Sequence, residues 1–267
     1  MSNIRHLFLF QLKMKIKSIS IWSLIMFGIM SMYMFFFSTM QEMAQVKFEM
    51  LPTEYLQLVG VSDMAQMSNY VNFFGMILNI LVIIISIYAI TTGINLILKE
   101  EKDKTIEYLY SLSVTRKQIY ISKLLIGFLS IFMAVFAASI AGILFGYIVG
   151  DNTFDLVKMF SIIKITGFIP FFFLSLGLFM SASSTKHSSA SLGCGIVMIS
   201  YMLGYLGKIL EDKADFLKYF SPFELLSPTN AESLSNETLI AFLIIIVISI
   251  ILLILSSFTY KNRDYNL

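Results

Sequence analysis

Six apolar runs, each about the 20 residues that a helix needs to cross hydrocarbon, dominate this sequence and are set apart by short charged blocks. Across the 267 residues 57% are hydrophobic and 13% charged, against about half and about a quarter in ordinary soluble domains. That balance argues against a water-soluble fold. It predicts an all-α, polytopic membrane protein with six transmembrane helices, at about 21–39, 73–98, 124–149, 159–180, 190–208 and 238–260. Within the spans charge is almost absent; Lys164 and Lys208 fall near predicted ends, where a long side chain snorkels to the headgroups. Gly167 and Pro170 predict a kink in the fourth span, because proline cannot donate to the helical ladder.

Orientation follows from the excess of Lys and Arg in cytoplasmic loops. With both termini cytoplasmic, one face holds Arg5, Lys13, Lys15, Lys17, Lys99, Lys102, Lys104, Arg116, Lys117, Lys123, Lys186, Lys261 and Arg263, which is 13 of the 19 cations. The opposite face carries 12 of the 17 acids. The first apolar run is long and lacks a small-x-small cleavage site after it, so it reads as a signal anchor. The expected location is the cytoplasmic membrane of a bacterium.

Residues 1–20 place Ile4, Leu7, Phe8, Leu12 and Ile16 near one helical face with basic residues around it, the pattern of an interfacial amphipathic helix on the cytoplasmic membrane surface. Two extracellular segments, 40–72 and 209–237, are mixed in character. The first would form short amphipathic helices broken at Pro52. The second contains SPFELLSP, too apolar for a solvated loop, and is expected to fold back and bury itself against protein. Cys194 lies in a span as an apolar filler and His187 in a polar turn, with no cluster around either to suggest metal chemistry.

Inside the second span Asn72, Asn79, Ser86 and Gly93 recur every seven residues, so successive members sit only about 20° apart on a helix. Together with Asn95 they form a candidate translocation path, or a stripe of interhelical hydrogen bonds. In the third span Ala134, Ala138, Gly142 and Gly146 make a small-xxx-small ridge suited to close helix packing, with a partner in this chain or in a second copy.

The functional signal is concentrated in KEEKDKTIEYLYSLSVTRKQIYISKLL, residues 99–125, between the second and third spans. Asp103 could cap a short helix, and Thr115 and Gln118 have capping-box spacing for a second helix that runs into the third span. Such an element, joined rigidly to two spans, can transmit a push from a cytoplasmic partner.

Glu101, Thr105, Glu107, Leu109, Val114, Arg116, Ile119 and Lys123 resemble the corresponding loop of the ABC-2 type permeases, the transmembrane subunits of a class of ABC transporters. The chain departs from that pattern at Lys104 and Ser122, where the family has Gly, and at Ser113, where it has Pro. SPFELLSP and the closing FTYKNRDYNL are similar to the family as well. The resemblance implies a permease without an ATPase site of its own, and no G-x-x-x-x-G-K-[ST] loop is present in the sequence.

On that reading the cofactors, ATP and Mg, bind a partner ABC ATPase and none binds this chain. Two permeases, identical or related, pair above two nucleotide-binding subunits, and Glu101, Thr105, Glu107, Tyr110 and Arg116 couple to the ATPase. An amphipathic or hydrophobic cargo (peptide, drug or lipid) would be exported. Membrane lipid surrounds the chain, and no nucleic-acid partner is expected. A non-transporting sensor or scaffold is the alternative. A secondary transporter fits less well, because no Asp or Glu lies inside a span to couple ions.

Overall fold

The computed structural model describes residues 2–47, 69–102, 115–150, 153–183, 190–210, 214–233 and 235–262. Every described element is helical. In chain order they are α1 (Ser2–Phe35), α2 (Phe37–Lys47), α3 (Tyr70–Lys102), α4 (Arg116–Val149), α5 (Leu156–Thr166), α6 (Ile169–Ser183) and α7 (Ala190–Ile209). A 3-10 turn, Asp215–Phe220, then leads into α8 (Pro222–Leu225), α9 (Pro228–Ser233) and α10 (Asn236–Asn262). Six units are long and apolar enough to span a bilayer: α1, α3, α4, the α5–α6 pair, α7 and α10.

Two helices run further than the hydropathy alone suggested. α1 is continuous across residue 20, so the amphipathic N-terminal stretch and the first span are one rod. Neither Pro nor Gly interrupts residues 2–27, and Leu7 and Gln11 are buried in the bundle. α4 starts at Arg116 rather than at 124 because Thr115 provides the expected start signal. Its hydroxyl accepts from Gln118 N (3.3 Å) while the Gln118 side chain accepts from Thr115 N (3.0 Å), a complete capping box.

The fourth span breaks where glycine and proline predicted. α5 ends at Thr166, Gly167 and Phe168 form a turn, and α6 begins at Ile169 with Pro170 next. Pro170 brings no backbone N–H, so the ladder is interrupted here at least cost. Asp155 starts α5 by accepting from Val157 N and Lys158 N.

α3 is the most buried span and α10 the most exposed, with α1 and α7 close behind it. α4 packs along α1, and α6 packs on both α3 and α10. Exposed apolar side chains such as Leu24, Ile148, Ile254 and Phe258 cover the outside of the bundle. In water that surface would be a severe aggregation liability; in a bilayer it is matched by acyl chains.

The segment between α7 and α10 folds inward as an apolar wedge, as its composition required. Pro222, Phe223, Leu226 and Ala231 are buried. Phe223 stacks on Phe173 of α6 with centroids 5.4 Å apart and meets Tyr201 of α7 edge-on at 5.8 Å. The break in the fourth span helps to hold the wedge, since Thr166 donates its hydroxyl to the Leu226 carbonyl at 2.8 Å. Of the segment 40–72, only α2 and the residues from 69 onward lie among those described; Pro52 lies outside them.

Candidate functional site

At one end of the bundle the opening of α4 meets the close of α10, and the close of α3 lies one short connection away along the chain. α3 continues as helix to Lys102 and α4 begins at Arg116, so only residues 103–115 connect these two rods. Thr105, Glu107 and Tyr110 lie outside the described residues. Glu101 lies in the last turn of α3. Arg116 is the one expected coupling residue whose side chain is described. It donates from Nη1 to the Lys261 carbonyl at 3.1 Å.

That contact has a physical logic. The last carbonyls of a helix have no intrahelical donor and carry the negative end of its dipole. Arg116 supplies both a donor and a positive charge to the end of α10.

Behind Arg116 on the same face stand Tyr120 and Lys123. Tyr120 donates to the Leu253 carbonyl at 3.1 Å and its ring lies 5.7 Å from that of Tyr260. Lys123 is only 1% exposed, with its ammonium 5.9 Å from the centre of the Tyr260 ring. The expected loop 99–123 is therefore helical over its last eight residues, and Lys123 is a packed residue rather than a loop cation. Tyr120 and Tyr260 were not among the expected site residues. The signal that could have found Tyr120 is the i, i+4, i+7 spacing of Arg116, Tyr120 and Lys123, which puts all three on one helical stripe.

The seven-residue stripe of α3 divides into two parts. At Gly93 it is a close helix crossing: a Cβ there would sit 2.7 Å from the Leu174 carbonyl oxygen, and one on Gly177 would meet the Ile90 carbonyl. Ser181 adds a donation to the Gly93 carbonyl at 3.4 Å. Farther along, Ser86 is fully buried and Asn79 half-buried, and the Ser86 Oγ and Asn79 Oδ1 have no hydrogen-bond partner among the described residues. Asn72 and Asn95 are half-buried at opposite ends of the helix.

Ala134, Ala138, Gly142 and Gly146 are all buried, and the neighbours that fill the two glycine positions belong to this chain. A Cβ on Gly142 would meet the Phe74 ring, and one on Gly146 the Phe154 ring. The glycine half of the ridge thus makes room for aromatic rings. The closest backbone approach lies elsewhere, at Gly93 and Gly177.

A bundle of this kind, with a broken fourth span, an inward wedge between the fifth and sixth, and two long rods flanking a short connection, defines an all-α polytopic membrane protein. The chain belongs to the ABC-2 family of transporter proteins, whose family model, described as an ABC-2 family transporter protein, matches residues 10–265. It is thus a transmembrane component of an ABC transporter, a family that in general works with a separate ABC ATPase. No curated protein matches the sequence.

Proposed function

We propose that this chain is the permease subunit of an ATP-driven exporter of an amphipathic or hydrophobic substrate, with both termini cytoplasmic and hydrolysis of ATP-Mg carried out by partner subunits. The observation that carries this reading is the pair of uninterrupted helices around residues 103–115. α3 and α4 extend as rods to that connection, so a displacement delivered there moves both spans as rigid levers. The strongly basic end of the bundle, with Arg116, Lys117 and Lys261, supports its placement on the cytoplasmic side.

In this scheme Glu101, Thr105, Glu107, Tyr110 and Arg116 receive the push from the ATPase. The stripe Asn72, Asn79, Ser86 and Asn95 supplies polar groups to the path or to helix contacts that change along it. A second permease, identical or related, completes the path. Nucleotide shifts the population between conformers only as far as it binds one of them more tightly.

The test is charge reversal at Glu107, read as co-purification of the ATPase and as substrate-stimulated ATP hydrolysis. Loss of either supports coupling through this connection. Wild-type values for both would remove Glu107 from the scheme, and a gently solubilised complex without any ATPase would favour a scaffold role.

A further inference from the structure

Between α6, α7, α10 and the wedge lies a cleft of about 880 Å3, within the roughly 300–1,000 Å3 typical of small-molecule sites. Its walls are apolar, formed by Phe172 and Leu176 of α6, Ile196 of α7, and Ile244 and Ile248 of α10. Asn230, Ser235, Glu237 and Thr238 line the end beside the start of α10; elsewhere the polar lining is Tyr219 and Ser200, whose hydroxyl donates to the Phe220 carbonyl at 3.2 Å. Asn230 is oriented by donation to the Glu224 carbonyl at 3.0 Å. Among the described residues lining the cleft, Glu237 alone is charged.

The dimensions match half a membrane. Three turns of α10 separate Glu237 from Ile248, about 16 Å at the rise of an α-helix, while one leaflet of a hydrocarbon core of about 30 Å is about 15 Å deep. The polar end thus falls at headgroup depth and the apolar end near the midplane. Leu243 and Val247, which adjoin the cleft-lining Ile244 and Ile248 in sequence, are exposed apolar residues on the outside of the bundle, as is Ile251 one turn further on. An acyl chain could enter sideways from the bilayer without passing through water.

We propose that this cleft is a binding site for one acyl chain of a resident membrane phospholipid with an amine-bearing headgroup, the ammonium resting against Glu237. A carboxylate at the rim attracts an ammonium and repels a headgroup that carries only negative charge. The apolar trough supplies the affinity by removing the chain's surface from contact with neighbouring mobile lipids and packing it against fixed side chains.

The full-length chain in vesicles of phosphatidylethanolamine and phosphatidylglycerol, doped with phosphatidylethanolamine bearing a photoreactive acyl chain, tests this directly. Labelled peptides are expected from α6, α7 and the 237–248 stretch of α10, with competition by unlabelled phosphatidylethanolamine but not by phosphatidylglycerol. Ala241→Phe, which fills the trough, should cut the labelling about tenfold, the scale of an overpacked site. Glu237→Gln should keep the labelling and lose the headgroup preference.

Labels confined to peptides outside the cleft would overturn the proposal, as would unchanged labelling in a normally melting Ala241→Phe variant. If that variant misfolds, the wild-type peptide map and Glu237→Gln still decide. Label that leaves the chain on addition of ATP and the ATPase would assign the cleft to cargo and overturn a resident lipid.

Discussion

The phenol of Tyr70 donates a 2.6 Å hydrogen bond to the carbonyl of Gly142, tying the start of α3 to the last third of α4. Tyr70 is fully buried, and its backbone N–H donates to Thr153 Oγ1 at 3.1 Å, so one residue joins α3, α4 and the turn that follows α4. This knot stands at the opposite end of the bundle from Arg116. It fixes the two rods at one end, away from the connection at residues 103–115 through which we propose that movement enters.

Tyr70→Phe should cost about 1 kcal/mol, the usual net worth of a buried hydrogen bond. Gly142→Leu should cost more, because it drives a side chain into the space of the Phe74 ring; overpacking of this kind costs about 1–3 kcal/mol. Thermal unfolding of the purified chain in detergent checks both. A Gly142→Leu melting curve equal to that of wild type would contradict the packing described.

Thr115→Ala removes the hydroxyl that accepts from Gln118 and should destabilise the start of α4 by about 1 kcal/mol, whereas Thr115→Ser should be close to neutral. Hydrogen exchange over residues 116–120 is the sensitive readout. Equal protection in the Ala and Ser variants would mean that the cap does not hold the helix end.

Arg116→Ala should leave the melting temperature nearly unchanged, because the contact is partly exposed, yet lower substrate-stimulated ATP hydrolysis by loosening α4 from the end of α10. Lys123→Ala should behave in the opposite way. It removes a buried chain and its contact with the Tyr260 ring, so stability falls by about 1–3 kcal/mol. Measuring both quantities on both variants separates coupling from packing.

Gly177→Leu should be among the most damaging single changes, since the new side chain would begin inside the Ile90 backbone contact. The expected readout is loss of folded protein during purification, with Cys194→Ala as an innocuous control in the next span. Normal yield and melting would show that α3 and α6 do not cross so closely.

Burial of the Glu224 carboxyl raises its pKa above the ordinary value of 4.5, opposed by the nearby positive charges of Lys208 and Lys218. A carboxyl with a raised folded-state pKa contributes stability below its unfolded value that is lost as pH rises through the folded value. Stability should therefore decline as pH climbs from about 4.5 toward neutral. Glu224→Gln should raise the melting temperature by a few degrees at neutral pH and leave it near wild type at pH 4. An equal shift at both pH values would rule out titration of Glu224 as the cause.

The number of spans, the kink at Gly167 and Pro170, the capping box at Thr115 and the inward folding of the Pro222–Leu226 stretch were all legible in the sequence. Each depends on local chemistry: a missing N–H at proline, a side-chain oxygen three residues from a free donor, or a run too apolar for water. Hydropathy reports only where a helix can enter hydrocarbon. It says little about how far the helix continues beyond that region, and for that reason α4 reached back to Arg116 and α1 ran unbroken through residue 20.

What only the tertiary structure decided is which surface each helix turns to which neighbour. The small residues of α4 were visible as a ridge, but whether their space is filled by a backbone or by a ring depends on side chains far away in sequence, here Phe74 and Phe154. The same holds for Lys123, a flanking cation in one dimension and a buried partner of Tyr260 in three. Inside a bilayer every span is apolar on nearly all sides, so the amphipathic pattern that reveals a packing face in water is weak, and helix pairing is settled by shape and by a few interhelical hydrogen bonds.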